Sequence, residues 1–231
     1  MQSANATALA LQLSSEMNRD KLLKEAAEWV RAELGNDSSG HDWWHIFRVA
    51  SLARKLAVLE GADEFICHLA ALLHDMIDDK VVGDPARALN DVTDWMVNHG
   101  MRGPDLDHVL DIITHMSFSS FKGSPMATLE GRVVQDADRL DAIGAIGIAR
   151  AFAYGGSHGR LLFDPDQSPQ RYETKAAYRA SASSTINHFH EKLLLLKCLM
   201  NTAHGKQLAE HRHTFMETYL AEFAAEWTGE S

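Results

Sequence analysis

Only two cysteines occur in the 231 residues, Cys67 and Cys198, both in apolar, helix-like surroundings. A disulfide framework is excluded, and the two read as buried free thiols of a cytoplasmic protein. A closed thiolate zinc site is excluded too, because the cysteines lack the ligand spacing. Positive charge is scarce: 22 lysines and arginines stand against 32 acidic residues, a net charge of −10. That balance argues against a nucleic-acid polymer as partner, which needs a basic face. A small phosphorylated ligand stays compatible with it, received by a metal or a few local cations. No apolar run approaches the roughly 20 residues of a membrane span. The start of the chain lacks the basic and apolar parts of a signal peptide. Strand-like stretches are confined to Val81-Val82 and Arg132 to Val134, too short for a sheet, and there are no repeats or low-complexity tracts.

What is present is helical spacing. Leu22, Leu23, Ala26, Ala27, Val30 and Leu34 recur at helical intervals, and the turn-rich run 35–40 ends that helix. Residues 1–18 are expected as an N-terminal arm, loosely helical or disordered. Residues 19–231 are expected as one all-α domain. A second helix is predicted over 42–60, with Trp44, Phe47, Val49, Leu52, Ala53, Leu56 and Leu59 as its apolar side and Gly61 as terminator. Further helices are predicted over 62–75, 85–98 (capped by Asp84, with Pro85 in its first turn) and 105–116. Two helical segments follow in 127–153, where Gly144 and Gly147 allow close approach. C-terminal helices are expected over 173–200 and 204–227, with an apolar face that serves the core or a homodimer. Trp43, Trp44, Trp95 and Trp227 read as core.

The chemistry centres on His74-Asp75. The apolar run Leu69 to Leu73 drives this pair inward, and a buried carboxylate is costly unless paired or bound to a metal. Asp78 and Asp79 lie three and four residues further on, one helical turn from Asp75. Two other segments carry candidate ligands: His41 and His45, four apart, and Gln135-Asp136-Ala137-Asp138-Arg139-Leu140-Asp141. Asp136 and Asp138 compete for one role, and Asp141 either orients a ligand histidine or caps a helix. Imidazole with carboxylate suits manganese, taken first, or iron, cobalt, nickel, zinc or magnesium.

The order of one histidine, an adjacent His-Asp pair and a distant aspartate resembles the HD-domain metal-dependent phosphohydrolase superfamily. The likeness covers residues 40–150. It implies a helical HD-domain bundle holding a divalent metal ion through His45, His74, Asp75 and Asp138, the last in Ala-Asp-Arg-Leu. The His-Asp-x-x-His-x-x-Arg-Val start, Ser-Phe-Ser at 117–119 and the run 135–145 are similar to a branch of bacterial HD hydrolases, which implies a nucleotide pyrophosphohydrolase or an uncharacterised phosphohydrolase. The implied substrate is a nucleoside triphosphate. His-Asp-Met-Ile-Asp-Asp is similar to the His-Asp-x-x-Glu-Asp segment of guanosine tetraphosphate hydrolases, with Asp78 replacing glutamate. That likeness implies that Asp78 and Asp79 assist an attacking water. Guanosine tetraphosphate hydrolysis and phosphomonoester hydrolysis are the alternative activities, and a non-catalytic, metal-containing nucleotide sensor is the alternative of another class. Developing phosphoryl charge needs cations. Lys122 and Arg139 are the leading candidates, followed by Arg48 and Lys80, with His41 and His115 as further substrate contacts and Phe118 and Phe121 beside a base.

Overall fold

The computed structural model describes residues 2–35, 42–79, 81–116, 125–172 and 183–230. Among them the regular structure is helical, as the all-α reading expects. The helices are α1 (Gln2–Leu34), α2 (Trp43–Glu60), α3 (Glu64–Leu73), α4 (Pro85–Asn98), α5 (Gly103–His115), α6 (Leu129–Asp141), α7 (Gly144–Ser157), α8 (Thr185–Glu191) and α9 (Ala203–Thr228). Two 3₁₀ segments, His74–Ile77 and Leu193–Leu199, interrupt the series. The stretch set apart as an arm is helical from Gln2 and continuous with α1.

The core is built on α3. Asp63 caps it by accepting from the amides of Phe65 and Ile66, and Phe65, Ile66, Cys67 and every residue from Leu69 to Leu73 are buried. A helix apolar around most of its circumference belongs inside a bundle, and α3 packs against α1, α2, α5 and α6. Helix α2 starts at Asp42, whose side chain accepts from the His45 amide, and ends at Gly61 in the left-handed conformation. Its inward stripe is His45, Ile46, Val49, Ala50, Ala53, Leu56 and Ala57. The three alanines let α2 approach α3 and α6 closely.

That stripe corrects one expectation. Trp44, Phe47 and Leu59 are 56%, 49% and 55% exposed, because a helix buries one stripe and here it runs through the polar His45. Trp227 is likewise half exposed. Cys67 is buried but Cys198 is exposed, since residue 198 lies in the 3₁₀ segment rather than in a core helix. The helix predicted over 62–75 is α-helical only to Leu73 and then tightens into the 3₁₀ turn. Of the helix predicted over 173–200, residues 173–182 lie outside the described residues, and the remainder is broken. Ser184 has extended backbone and caps α8 through the Asn187 amide, and Lys192 separates α8 from the second 3₁₀ segment. The strand-like residues 132–134 lie inside α6.

The C-terminal region is tied to the core by Asp136, which is fully buried on α6. Its carboxylate accepts from the Asn201 amide at 2.9 Å, Asn201 Nδ2 at 2.8 Å, the Thr202 amide at 2.8 Å and Thr202 Oγ1 at 2.8 Å. Thr202 is the cap of α9, so one carboxylate both starts that helix and docks it. Gly205 lies so close that a β-carbon there would overlap Asp136 Oδ2. A β-carbon at Gly144, at φ +77°, would press on the Arg212 side chain of α9. Replacing Asp136 by asparagine puts an NH2 donor where a carboxylate oxygen now accepts N–H and O–H groups. We expect Asp136→Asn to lower stability by about 2 kcal/mol, measured by urea denaturation. An unchanged midpoint would show that the docking does not depend on this carboxylate.

Candidate metal centre

The α-to-3₁₀ switch after Leu73 places two consecutive polar side chains at the end of the most buried helix. His74 is 7% and Asp75 3% exposed. In 3₁₀ geometry successive side chains diverge by about 120°, yet His74 Nε2 and Asp75 Oδ1 are 3.2 Å apart, so both bend toward one point. His45 arrives at the same point from α2, with Nε2 3.5 Å from Asp75 Oδ2. Asp138 arrives from α6, with Oδ1 3.5 Å from His45 Nε2 and 3.9 Å from His74 Nε2. Metal bonds of about 2.1 Å in octahedral geometry imply neighbouring donors about 3 Å apart and opposite donors about 4.2 Å apart. The observed separations fall in that window, and ligand atoms of His45, His74 and Asp138 all lie within 4.8 Å of one another.

The tautomers fit the same purpose. His74 Nδ1 is 2.8 Å from the Ala71 carbonyl, which can only accept, so Nδ1 carries the hydrogen. Nε2 then presents a lone pair, and it is buried without a hydrogen-bond partner among the described residues. His45 Nδ1 lies 2.7 Å from Asp141 Oδ2. Asp141 also accepts from Arg48 Nε at 2.7 Å, Arg48 Nη2 at 3.0 Å and Arg150 Nη1 at 2.8 Å. Burial pushes the Asp141 carboxyl up, but the hydrogen bonds from His45 and Arg48 reverse this and hold it well below the usual carboxylate range. It is therefore an ionised acceptor, and His45 Nδ1 donates to it. Two imidazoles with donated Nδ1 hydrogens, beside two carboxylates, are a donor set suited to a divalent metal ion.

Of the competing aspartates, Asp136 is occupied at α9, whereas the Asp138 side chain is about one-third exposed and faces the histidines. Asp78 follows the 3₁₀ turn, its amide bonded to the Asp75 carbonyl at 3.2 Å, and its charge helps draw a proton toward His74. Asp79 is exposed beside it. His41, Lys80, Lys122, Phe118 and Phe121 lie outside the described residues.

Three expected substrate contacts are placed otherwise. Arg48 gives its guanidinium to Asp141, because three residues after His45 it shares that helix face. Arg139 is 4% exposed and bonds the Leu199 carbonyl; one residue past Asp138 it is turned about 100° away. His115 is exposed, its Nδ1 bonded to the Asp111 carbonyl of its own helix at 2.9 Å. The orienting role of Asp141, rather than capping, is what its contacts display. Arg150 carries no signal in the sequence, since only the packing of α7 brings it to Asp141. The pairing of His45 with Arg48 three residues on is the one sequence signal that points toward a shared acceptor.

The family model described as "HD domain" matches residues 43–143, the span holding all four converging side chains. The chain is 42% identical over 215 residues to the uncharacterized protein YpgQ of Bacillus subtilis, covering 90% of this chain and 97% of that one. The crystal structure of YpgQ in complex with ADP superimposes with a TM-score of 0.72 at 41% identity, covering 88% of this chain and 97% of that one. A Lactobacillus plantarum crystal structure gives a TM-score of 0.80 at 44% identity, over 90% and 98%. An HD-superfamily hydrolase from Bacillus thuringiensis gives 0.73 at 43%, over 91% and 98%.

Burial pushes the His74 imidazole down, but Asp75, Asp138, the Ala71 carbonyl and Asp78 together outweigh it and the net shift is upward from the ordinary value of 6.5. The retained proton competes for the same Nε2 lone pair as a metal. Metal affinity is therefore expected to be full above the raised value and to fall as pH drops through it, with proton release on binding. Calorimetry in two buffers of different ionisation heat checks this; a buffer-independent heat near pH 6.5 would contradict it.

Proposed function

The chain belongs to the HD-domain superfamily of hydrolases, and on that footing we propose that it is a divalent-metal-dependent phosphohydrolase acting on a nucleotide, foremost a nucleoside triphosphate pyrophosphohydrolase. The observation that carries this reading is the convergence of His45, His74 and Asp138, with Asp75 beside both histidines. These four are the proposed ligands. Their combined charge of −2, with neutral imidazoles, would neutralise a divalent ion. Manganese is the proposed metal, ahead of magnesium, iron, cobalt, nickel and zinc. Bound there, such an ion would polarise phosphorus and lower the pKa of a coordinated water.

The chain's own residues complete the assignment. Asp79, or Asp78 beside it, is proposed to take the water proton, since both lie just past the end of the 3₁₀ turn that carries Asp75. Lys122, Lys80 and His41 are the proposed partners of the phosphate oxygens. Arg48 and Arg139 are withdrawn from that role, because both guanidiniums are engaged inside the fold. The nucleotide substrate is supported by the ADP complex of YpgQ. A free, buried Cys67 fits a reducing compartment and supports a cytoplasmic location.

The test is turnover with manganese against ribo- and deoxynucleoside mono-, di- and triphosphates and guanosine tetraphosphate, with phosphate and pyrophosphate measured separately. The expected result is pyrophosphate release. His74→Ala should lose both bound metal and turnover. Asp79→Asn should keep the metal and lose about a hundredfold or more in rate. Orthophosphate as the sole product would replace the assignment by a phosphatase. Bound metal with no turnover on any nucleotide would favour a sensor.

A further inference from the structure

The two histidines at the centre are held in different ways. His74 is fixed by a main-chain carbonyl, and His45 by a side chain, Asp141, that is itself held by two arginines. Asp141 receives Arg48 on both oxygens, in the planar fork that guanidinium and carboxylate share, and Arg150 on Oδ2. A carboxylate has about four acceptor positions, and here four N–H groups engage it, three on Oδ2 and one on Oδ1. The carboxylate cannot rotate without releasing one of them. It is 4% exposed, so water does not readily substitute.

The placement of these groups gives the arrangement its meaning. His45 and Arg48 are three residues apart on α2, and Asp138 and Asp141 three apart on α6. Each helix thus carries one converging donor and one half of the Arg48–Asp141 pair. The pair sets the separation of the two helices at the level of the site, and Arg150 ties α7 to the same point.

We infer that Asp141 is a positioning residue of the metal centre, clamped by the Arg48 fork so that His45 presents Nε2 to the ion. The inference rests on the reading of His45 as a ligand. A purely electrostatic role makes a different prediction. If only charge mattered, Arg48→Lys would leave metal affinity unchanged, because the charge is kept. If the fork positions Asp141, lysine fails, since an ammonium cannot engage both oxygens in that plane.

The experiment measures Mn²⁺ binding to the full chain by the electron paramagnetic resonance signal of the free ion. Asp141→Asn leaves one acceptor oxygen for donors from His45, Arg48 and Arg150, and affinity should fall about ten- to a hundredfold. Arg48→Lys should fall severalfold. Asp136→Asn, an equally buried carboxylate change on the same helix, should bind Mn²⁺ like the wild type despite lower thermal stability. Imidazole ¹⁵N spectra of the metal-free protein give a second readout. The Nδ1–H tautomer of His45 should persist in wild type and Asp136→Asn, and become mixed in Asp141→Asn. Wild-type affinity in either Asp141→Asn or Arg48→Lys would overturn the inference while leaving the metal centre standing. If Asp141→Asn does not fold, wild-type affinity in Arg48→Lys overturns it alone. A wild-type protein that binds no Mn²⁺ would instead remove the metal reading, and this inference with it.

Discussion

Two donated Nδ1 hydrogens govern the centre. An imidazole has two nitrogens, and the one that gives its hydrogen away decides what the other can do. The Ala71 carbonyl and the Asp141 carboxylate take those hydrogens from His74 and His45, so both Nε2 atoms are turned toward Asp75 and Asp138. Without that constraint the same four side chains would be a buried knot of titrating groups. With it, they are the proposed ligands of a doubly positive ion, whose charge theirs would match. The rest of the fold can be understood as delivery: α3 supplies the buried end, its tightening supplies the His-Asp corner, and α2 and α6 close from either side.

Balance at the centre would leave a deficit outside it. A polyphosphate approaching the centre would meet a protein of net charge −10. The nearby arginines cannot make up the difference freely. Arg48 and Arg150 bond Asp141, and Arg139 is buried beneath the C-terminal region. On the proposed function, neutralising the substrate would fall to Lys80 and Lys122, which flank the centre in sequence.

Much of this was legible from residue order. The apolar run before His74 announced a buried helix, and the spacing of Asp84 and Pro85 announced the start of α4, because capping and hydrophobic periodicity are local properties. The ordered set of histidines and aspartates carried the family, and with it the all-α architecture. What could not be read was decided by tertiary packing. Asp136 and Asp138 are two residues apart, and only the docking of Asn201 and Thr202 separates their roles. Arg139 sits beside a candidate ligand yet points to Leu199. Trp44 looks like core by composition and is exposed, because the inward stripe of α2 is centred on a histidine. Arg150 is nine residues from Asp141 and on the next helix, so no helical spacing links the two.

The contrast between the two cysteines has a practical consequence. A thiol reacts as its thiolate, and burial pushes the Cys67 thiol far up, whereas Cys198 is exposed. The native chain therefore offers one chemically addressable sulfur. It adjoins Leu199, whose carbonyl anchors Arg139, and lies three residues before the Asn201 amide held by Asp136. A fluorophore attached there would sit on the seam between the bundle and its C-terminal helix. Its anisotropy would follow the opening of that seam directly, with no engineered label site and no change to the centre itself.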